Sequence, residues 1–286
     1  MRINIIIPAY NEEEHIGKTL HSLVNQTIPI HKIIIVNDNS TDGTQKIIES
    51  FTNNFLNIES IKLISSNNHL PGSKVINAFN KGFELVDKSY DIICKLDADL
   101  IFPLNYFERV IELFKHDANV GMAGGFCYVK KNNTWIVEGL TNKDHLRGAL
   151  KAYRKDCFMA IGGLKNTMGW DTVDELLARY HGWSIATDEC LKVQHLKPTG
   201  VNYSVNAKYK QGEAFYKMRY GFFLFMVAAT KLALKKKSCS FLKNTLFGYL
   251  RASQNKVSYI VSVEEGKFIR SYRWQGIKKK LVGLKR

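Results

Sequence analysis

Along residues 1–130, short β-branched apolar runs alternate with stretches whose apolar positions recur at helical spacing, the pattern of a parallel sheet covered by helices. Residues 3–7, 32–36, 61–65 and 91–96 read as strands. Ile33-Ile34-Ile35-Val36 is apolar at every position, which suits a strand buried on both faces rather than one with a wet side. Residues 12–25, 41–51 and 73–86 read as helices. In the first of these, Ile16, Leu20, Leu23 and Val24 form a single stripe at i, i+4, i+7 and i+8. Asn11 is placed to start that helix, with Glu12, Glu13 and Glu14 in its first turn against the positive helix end. Pro103 opens a further helix to about residue 115, and residues 120–129 read as a strand containing Gly124-Gly125. Residues 171–181 read as a helix and residues 191–194 as a late strand.

Composition adds an asymmetry. Hydrophobic residues are 45% and charged residues 23% of the 286, enough apolar surface for a core, which excludes a wholly disordered chain. Five widely spaced cysteines without a C-x-x-C pair point to a reducing compartment and to neither a disulfide framework nor a cysteine zinc site. The apolar run Ile5 to Ile7 is cut off by Pro8 and the following glutamates, too short for a signal-peptide core, so a cytoplasmic location is expected. The formal charge is +15, yet residues 1–200 carry 22 Lys+Arg against 23 Asp+Glu while residues 201–286 carry 19 against 3. An uneven balance of this kind implies two jobs, with an anionic surface as partner of the basic part.

Ligands of such sheets bind beyond the carboxyl ends of the strands. The residues there are polar: Pro8-Ala9-Tyr10-Asn11-Glu12 after the first strand, Asn37 to Thr44 after the second, and Asp97-Ala98-Asp99 after the fourth. Two carboxylates one residue apart can each present an oxygen to a hard divalent cation that bridges to phosphate. Taken singly, each acid has a plainer role as a turn or cap residue, and Asp38 and Ser40 are placed to initiate the second helix.

Together these segments resemble the family 2 glycosyltransferases, inverting enzymes with the GT-A nucleotide-sugar fold. The opening strand and turn, Leu20-His21-Ser22-Leu23 with Gln26-Thr27, the loop from Val36 to Thr44 and Asp97-Ala98-Asp99, similar to the D-x-D motif, follow in family order within residues 3–200. The loop departs from the family at Asn37 and Asn39, where Asp and Gly are frequent, and keeps Asp38. The resemblance implies that Pro8, Ala9, Tyr10 and Glu12 line the nucleoside pocket, that Asp38 accepts from the base, that Asp97 holds the ribose or diphosphate side and that Asp99 binds a divalent metal, Mn2+ or Mg2+. Ala78-Phe79-Asn80-Lys81-Gly82 resembles a family stretch in which Arg is frequent at the position of Phe79. Lys74, in Leu70-Pro71-Gly72-Ser73-Lys74, is either the replacement cation for the nucleotide or a solvated helix-end lysine. His195 resembles the late metal-binding histidine of GT-A enzymes, and is otherwise a hydrogen-bonded strand-end residue.

Inversion requires a carboxylate to take the acceptor proton opposite the leaving diphosphate. The segment ending in Gly162-Gly163 resembles the one that precedes the family's catalytic acid, usually E-D; here Gly169-Trp170-Asp171-Thr172-Val173-Asp174 follows. Asp171 and Asp174, at i and i+3 of one helix, are both candidates for the base.

The basic part is also apolar. Residues 220–234 contain Phe222, Phe223, Leu224, Phe225, Met226 and Val227, a stretch interrupted by Lys231 and followed by Lys235-Lys236-Lys237. It is short for a membrane span and fits an interfacial helix. Phe241, Leu242, Leu246, Tyr249 and Leu250 give a second helix an apolar face. This pair is read as meeting an anionic membrane surface, the alternative being helices packed on the body or on a second copy.

The expectation is therefore an α/β GT-A fold with a mostly parallel sheet flanked by helices. A glycosyltransferase domain would occupy residues 1–210, with a donor half at about 1–100 and an acceptor half at about 101–210, and a basic amphipathic helical extension residues 211–286. Its function would be transfer of a sugar from a nucleotide diphosphate donor to a hydroxyl of a glycan or lipid-linked acceptor, in polysaccharide or cell-envelope synthesis at the inner membrane face, with homo-oligomers possible and no nucleic acid partner. The rival readings are a nucleotidyltransferase, against which stands the lack of a Gly-rich basic loop near the first strand, and a membrane- or nucleic-acid-binding module with a vestigial nucleotide site.

Overall fold

The computed structural model describes residues 1–64, 73–138, 145–197 and 208–283. Leu70-Pro71-Gly72 and the terminal Lys285-Arg286 lie outside them. The chain divides into two units: the first comprises Met1–Asn68, Lys74–Leu164 and His181–Val201, and the second comprises His69–Ser73, Lys165–Tyr180 and Asn202–Arg286.

The first unit opens as βαβ repeats: β1 (Ile3–Ala9), α1 (Ile16–Val24), β2 (Lys32–Asp38), α2 (Thr44–Asn54), β3 (Ile58–Leu63), α3 (Ser73–Phe83) and β4 (Ile92–Leu96). It continues through β5 (Leu100–Ile101), α4 (Tyr106–His116), β6 (Val120–Lys131), β7 (Thr134–Val137), β8 (Leu150–Arg154) and α5 (Lys155–Ala160), and closes with β9 (Ser184–His195). One mixed sheet runs β3-β2-β1-β4-β8-β6-β9-β5, with β7 paired to β6. Strands β3, β2, β1 and β4 are mutually parallel, as are β6 and β9, so most of the ladder is parallel, while β8 joins the two groups antiparallel to both neighbours.

The continuous apolar runs are explained by burial on both faces. Ile3, Ile5, Ile7, Ile33 and Ile35 share a core with Ile16, Leu20 and Leu23 of α1. On the other face α3 comes down on Ile6 and Val36 at Gly82. Strand β3 is the edge, and its Glu59 and Lys62 are exposed. That wet face hid its start: the strand begins at Ile58, which pairs with Ile33, three residues before the first one expected.

The helix starts also differ from expectation. Helix α1 begins at Ile16 with His15 as its N-cap and no acid in its first turn. Glu12, Glu13 and Glu14 precede it in a turn, because the backbone of Asn11 is left-handed, at φ 53°. Helix α2 begins at Thr44, after the Asp42 carboxylate has accepted from the Thr44 N–H at 3.0 Å, so neither Asp38 nor Ser40 caps it. Strand β8 was not anticipated, since its fully buried Lys151 reads as a surface residue. Strand β9 begins seven residues earlier than expected, the polar run from Thr187 to Cys190 having masked it.

The second unit is helical: α6 (Trp170–Tyr180), α7 (Lys210–Lys217), α8 (Phe222–Lys235), α9 (Cys239–Gln254) and α10 (Val263–Gly283). Its core stacks Phe225 on Tyr249 at 4.1 Å between ring centres, with Phe215 against Phe225 at 5.9 Å. The buried face of α9 is Thr245, Gly248, Tyr249 and Ala252, whereas Leu250 is exposed. The small residues are selected because α7 crosses there: a Cβ at Gly248 would lie 2.1 Å from the Tyr209 carbonyl oxygen. Arg219 Nε donates to the Val261 carbonyl at 3.0 Å, Arg270 to the Arg219 carbonyl at 2.7 Å and Arg273 to the Tyr220 hydroxyl at 3.1 Å, so part of the basic excess is structural.

Gly248→Ala gains helix propensity but forces α7 and α9 apart. The crossing outweighs the propensity, and a net loss of about 1–3 kcal/mol is expected in urea denaturation.

Candidate functional site

At the carboxyl ends of β1 and β2 two loops are sewn together. The Asn11 N–H donates to Ser40 Oγ at 3.0 Å, and the Thr41 N–H to Asn11 Oδ1 at 2.8 Å. The Glu12 N–H donates to Thr44 Oγ1 at 2.7 Å, and the Gly43 N–H to Glu13 Oε2 at 2.6 Å. Glu12 and Glu13, expected in a helix turn, thus serve the neighbouring loop. Asp38 ends β2, 6% exposed, and its Oδ1 has no hydrogen-bond partner among the described residues. A buried carboxylate oxygen left in this state is costly unless a ligand donates to it. Glu12 Oε1 accepts from Lys197 at 2.7 Å while Oε2 is likewise unpartnered. Burial raises the Glu12 pKa against the lowering effect of Lys197. Pro8 and Ala9 complete the strand end, Tyr10 is exposed, and Lys74 Nζ stands 5.8 Å from the Tyr10 ring centre. Phe79 is fully buried against Phe83 and Phe158, so its position belongs to the core.

The Asp97-Ala98-Asp99 turn lies between β4 and β5 and is clamped from both sides. Thr19 of α1 donates to the Ala98 carbonyl at 2.7 Å and accepts from the Leu100 N–H at 3.0 Å. The Asp97 N–H donates to the Ala149 carbonyl at 2.8 Å. Lys95, 2% exposed, pairs with Asp97 and also donates to the Gly148 carbonyl at 3.0 Å. Strand β9 pairs with β5 so that His195 faces Leu100, the residue after Asp99.

His195 therefore arrives beside the acidic pair. Its Nε2 is 3.3 Å from Asp99 Oδ2, its Nδ1 is 2.8 Å from Glu138 Oε2, and Arg147 Nη2 stands 3.2 Å from the same Glu138 oxygen. Burial opposes the charged imidazole, but hydrogen bonds from it to Asp99 and Glu138 prevail and push its pKa up to about 9. Ligand atoms of Asp97, Asp99 and His195 lie within 4.8 Å of one another. Two carboxylates and an imidazole suit Mn2+ or Mg2+. Cys127, Glu138 and His195 are also this close, but burial raises the Cys127 thiol pKa and keeps it protonated, a poor ligand.

Asp171 and Asp174 lie on α6 in the second unit, where Asp171 is half-buried and Asp174 is 1% exposed with its Oδ1 accepting from the Glu175 N–H at 2.6 Å. Sequence reasoning missed Thr19, Lys95, Glu138, Arg147 and the buried Glu175. Only the adjacency of Lys95 to the acidic pair and of Glu175 to Asp174 offered a signal; Glu138 is 57 residues from its histidine.

A parallel half-sheet that carries an acidic pair and a late histidine at its carboxyl edge is of the GT-A kind. The sequence profile described as Glycosyl transferase family 2 matches residues 4–165, more than half of the chain, and the chain belongs to that family. It is 52% identical over 42 residues to the 4,4'-diaponeurosporenoate glycosyltransferase of Staphylococcus aureus (strain USA300), a match covering 15% of this chain and 11% of that protein. Among solved structures, a mannosyltransferase, PcManGT from Pyrobaculum calidifontis, in complex with GDP-Man and Mn2+, aligns over 96% of this chain and 80% of its own, with a TM-score of 0.56 and 13% identity. Residues 1–349 of S. aureus TarS in complex with UDP-GlcNAc align over 94% and 78%, with a TM-score of 0.57 and 17% identity. At these identities the likeness is one of fold.

Thr44→Val removes the hydroxyl that accepts from Glu12 and donates to Asp42 while keeping its shape. A loss of about 1–2 kcal/mol in urea denaturation at unchanged m-value is expected.

Proposed function

We propose that this chain is an inverting glycosyltransferase that moves a sugar from a nucleotide diphosphate donor to a hydroxyl of a glycan or lipid-linked acceptor with the help of a divalent metal. The convergence of Asp97, Asp99 and His195, together with an unpartnered Asp38 oxygen at the carboxyl end of β2, carries the reading. Asp38 accepts from the base, and Pro8, Ala9, Tyr10 and Glu12 line the nucleoside. Asp97 holds the ribose or diphosphate side, and Lys74 faces the phosphates. Asp99 and His195 would hold Mn2+ or Mg2+, which would supply charge neutralisation for the departing diphosphate. Asp174 or Asp171 takes the acceptor proton as the new bond forms at the anomeric carbon, on the face opposite the breaking sugar–phosphate bond. The GDP-Man, Mn2+ and UDP-GlcNAc named for the two structural relatives support a search among guanosine and uridine donors.

Asp99→Ala is expected to abolish metal-dependent donor hydrolysis and transfer with the circular dichroism spectrum unchanged. Full activity in that variant, or undiminished wild-type activity after exhaustive chelation, removes the metal mechanism. Of Asp174→Asn and Asp171→Asn, one is expected to lose transfer by about 100-fold while still binding donor; normal turnover in both and in the double variant places the base elsewhere. Release of pyrophosphate from a nucleoside triphosphate in place of nucleoside diphosphate from a sugar donor identifies a nucleotidyltransferase instead.

The second unit supports an anionic membrane surface as partner. Helix α8 buries Leu224, Phe225, Ala229 and Ala233, yet leaves Phe223, Val227 and Leu234 exposed along its outer side. Met226, Val227, Thr230, Lys231 and Leu234 line an open depression of about 510 Å³ there. Lys231 and Lys235 to Lys237, all exposed, flank the stripe with charge that favours anionic headgroups and repels a second copy. Among the described residues no helix is long and apolar enough to cross a membrane. The chain is expected to sediment with phosphatidylglycerol-containing vesicles, less as salt rises, and the Phe223→Ser, Leu234→Ser double variant to lose most of this binding. Indifference to these vesicles together with a dimer that the same variant dissolves makes the stripe an oligomer interface.

A further inference from the structure

The proposed metal site uses His195 Nε2 and gives no role to Glu138, which faces the other side of the ring. We infer that Glu138 is the positioning residue of the metal centre: it accepts from His195 Nδ1–H and so holds Nε2 toward Asp97 and Asp99, while Arg147 braces the Glu138 carboxylate. The inference rests on the proposed metal site and concerns residues to which that site gives no part.

Glu138 Oε2 lies 2.8 Å from Nδ1 with both residues buried, at 8% and 4% exposure, so the contact is shielded from water. An imidazole has one lone pair to give a metal, and the nitrogen that carries the proton is decided by the acceptor at the opposite side of the ring. A carboxylate at Nδ1 keeps a proton there, so that a metal would take the place of the Nε2 proton that otherwise faces Asp99, and it increases the basicity of Nε2. Glu138 is itself held. Its N–H donates to the Cys127 carbonyl at 2.9 Å, one residue beyond β7, and Arg147 Nη2 lies 3.2 Å from the oxygen that faces His195. Strand β9 fixes the histidine backbone independently, through the pairing of His195 with Leu100 and Val129. Glu138 is therefore needed for the direction and tautomer of the ring rather than for its location.

The full chain, with the Glu138→Gln, Glu138→Ala and His195→Ala variants, is titrated with Mn2+ in excess UDP and, in parallel, excess GDP. Affinity is read by calorimetry, and the 14N coupling of bound Mn2+ by pulsed electron paramagnetic resonance. The wild type is expected to bind Mn2+ with a nitrogen coupling that His195→Ala abolishes. Glu138→Gln, whose amide oxygen still accepts from Nδ1–H, is expected to keep the coupling with about tenfold weaker binding, and Glu138→Ala to lose the coupling and about 100-fold in affinity. A wild type that takes up no Mn2+ with either nucleotide overturns the metal site and this inference with it. A wild type whose nitrogen coupling and affinity are matched by Glu138→Gln and Glu138→Ala overturns the positioning role alone. Should Glu138→Ala fail to fold, wild-type affinity in Glu138→Gln overturns the role on the same terms.

Discussion

Charge balance at one edge of the sheet constrains the rest of the first unit. Asp99 and Glu138 are buried and Asp97 is half-buried, and carboxylates removed from water must be paired or they destabilise the fold. Each has a cation: Lys95 with Asp97, His195 with Asp99, and His195 and Arg147 with Glu138. These cations come from β4, from the end of β9 and from the segment before β8. The sheet order is what gathers them, since β8 lies beside β4 and the pairing of β9 with β5 sets His195 next to Asp99. A register slip in β9 would turn the histidine to the other face and leave the acids uncompensated.

That register depends on backbone approach. Strand β6 shifts register against β9 between Gly124 and Phe126, and a Cβ at Gly125 would stand 2.1 Å from the Leu191 carbonyl oxygen. Only a residue without a side chain lets the strands close there, after which Phe126 to Val129 pair regularly with Lys192 to His195. The site thus rests on a local irregularity of the sheet some residues away.

The second unit answers to a different constraint. Its core uses aromatic stacking and a close crossing of α7 and α9, while the outer side of α8 keeps apolar residues beside lysines. Arginines there turn inward to carbonyls and a hydroxyl, as their forked donors allow, whereas the lysines of α8 face outward. The basic excess is therefore divided between holding the unit together and presenting charge at its surface.

The sequence by itself determined the parallel half of the sheet, because Ile3 to Ile7 and Ile33 to Val36 have no polar face to offer and must be covered on both sides. It also determined the family, through segments whose order along the chain is local information, and it marked His195 and the acidic pair as candidates. It misplaced the glutamates after Asn11, because a left-handed residue and hydrogen bonds to a loop some 30 residues away overrode their local preference for a helix start. It missed β8, whose Lys151 is buried only because neighbouring strands enclose it, and it passed over Glu138, which resembles any strand-end glutamate until β9 brings His195 to it. Periodicity and short motifs report what a segment does with its own neighbours. Which distant charges must meet is decided by sheet order and register, and these exist only once the chain has folded.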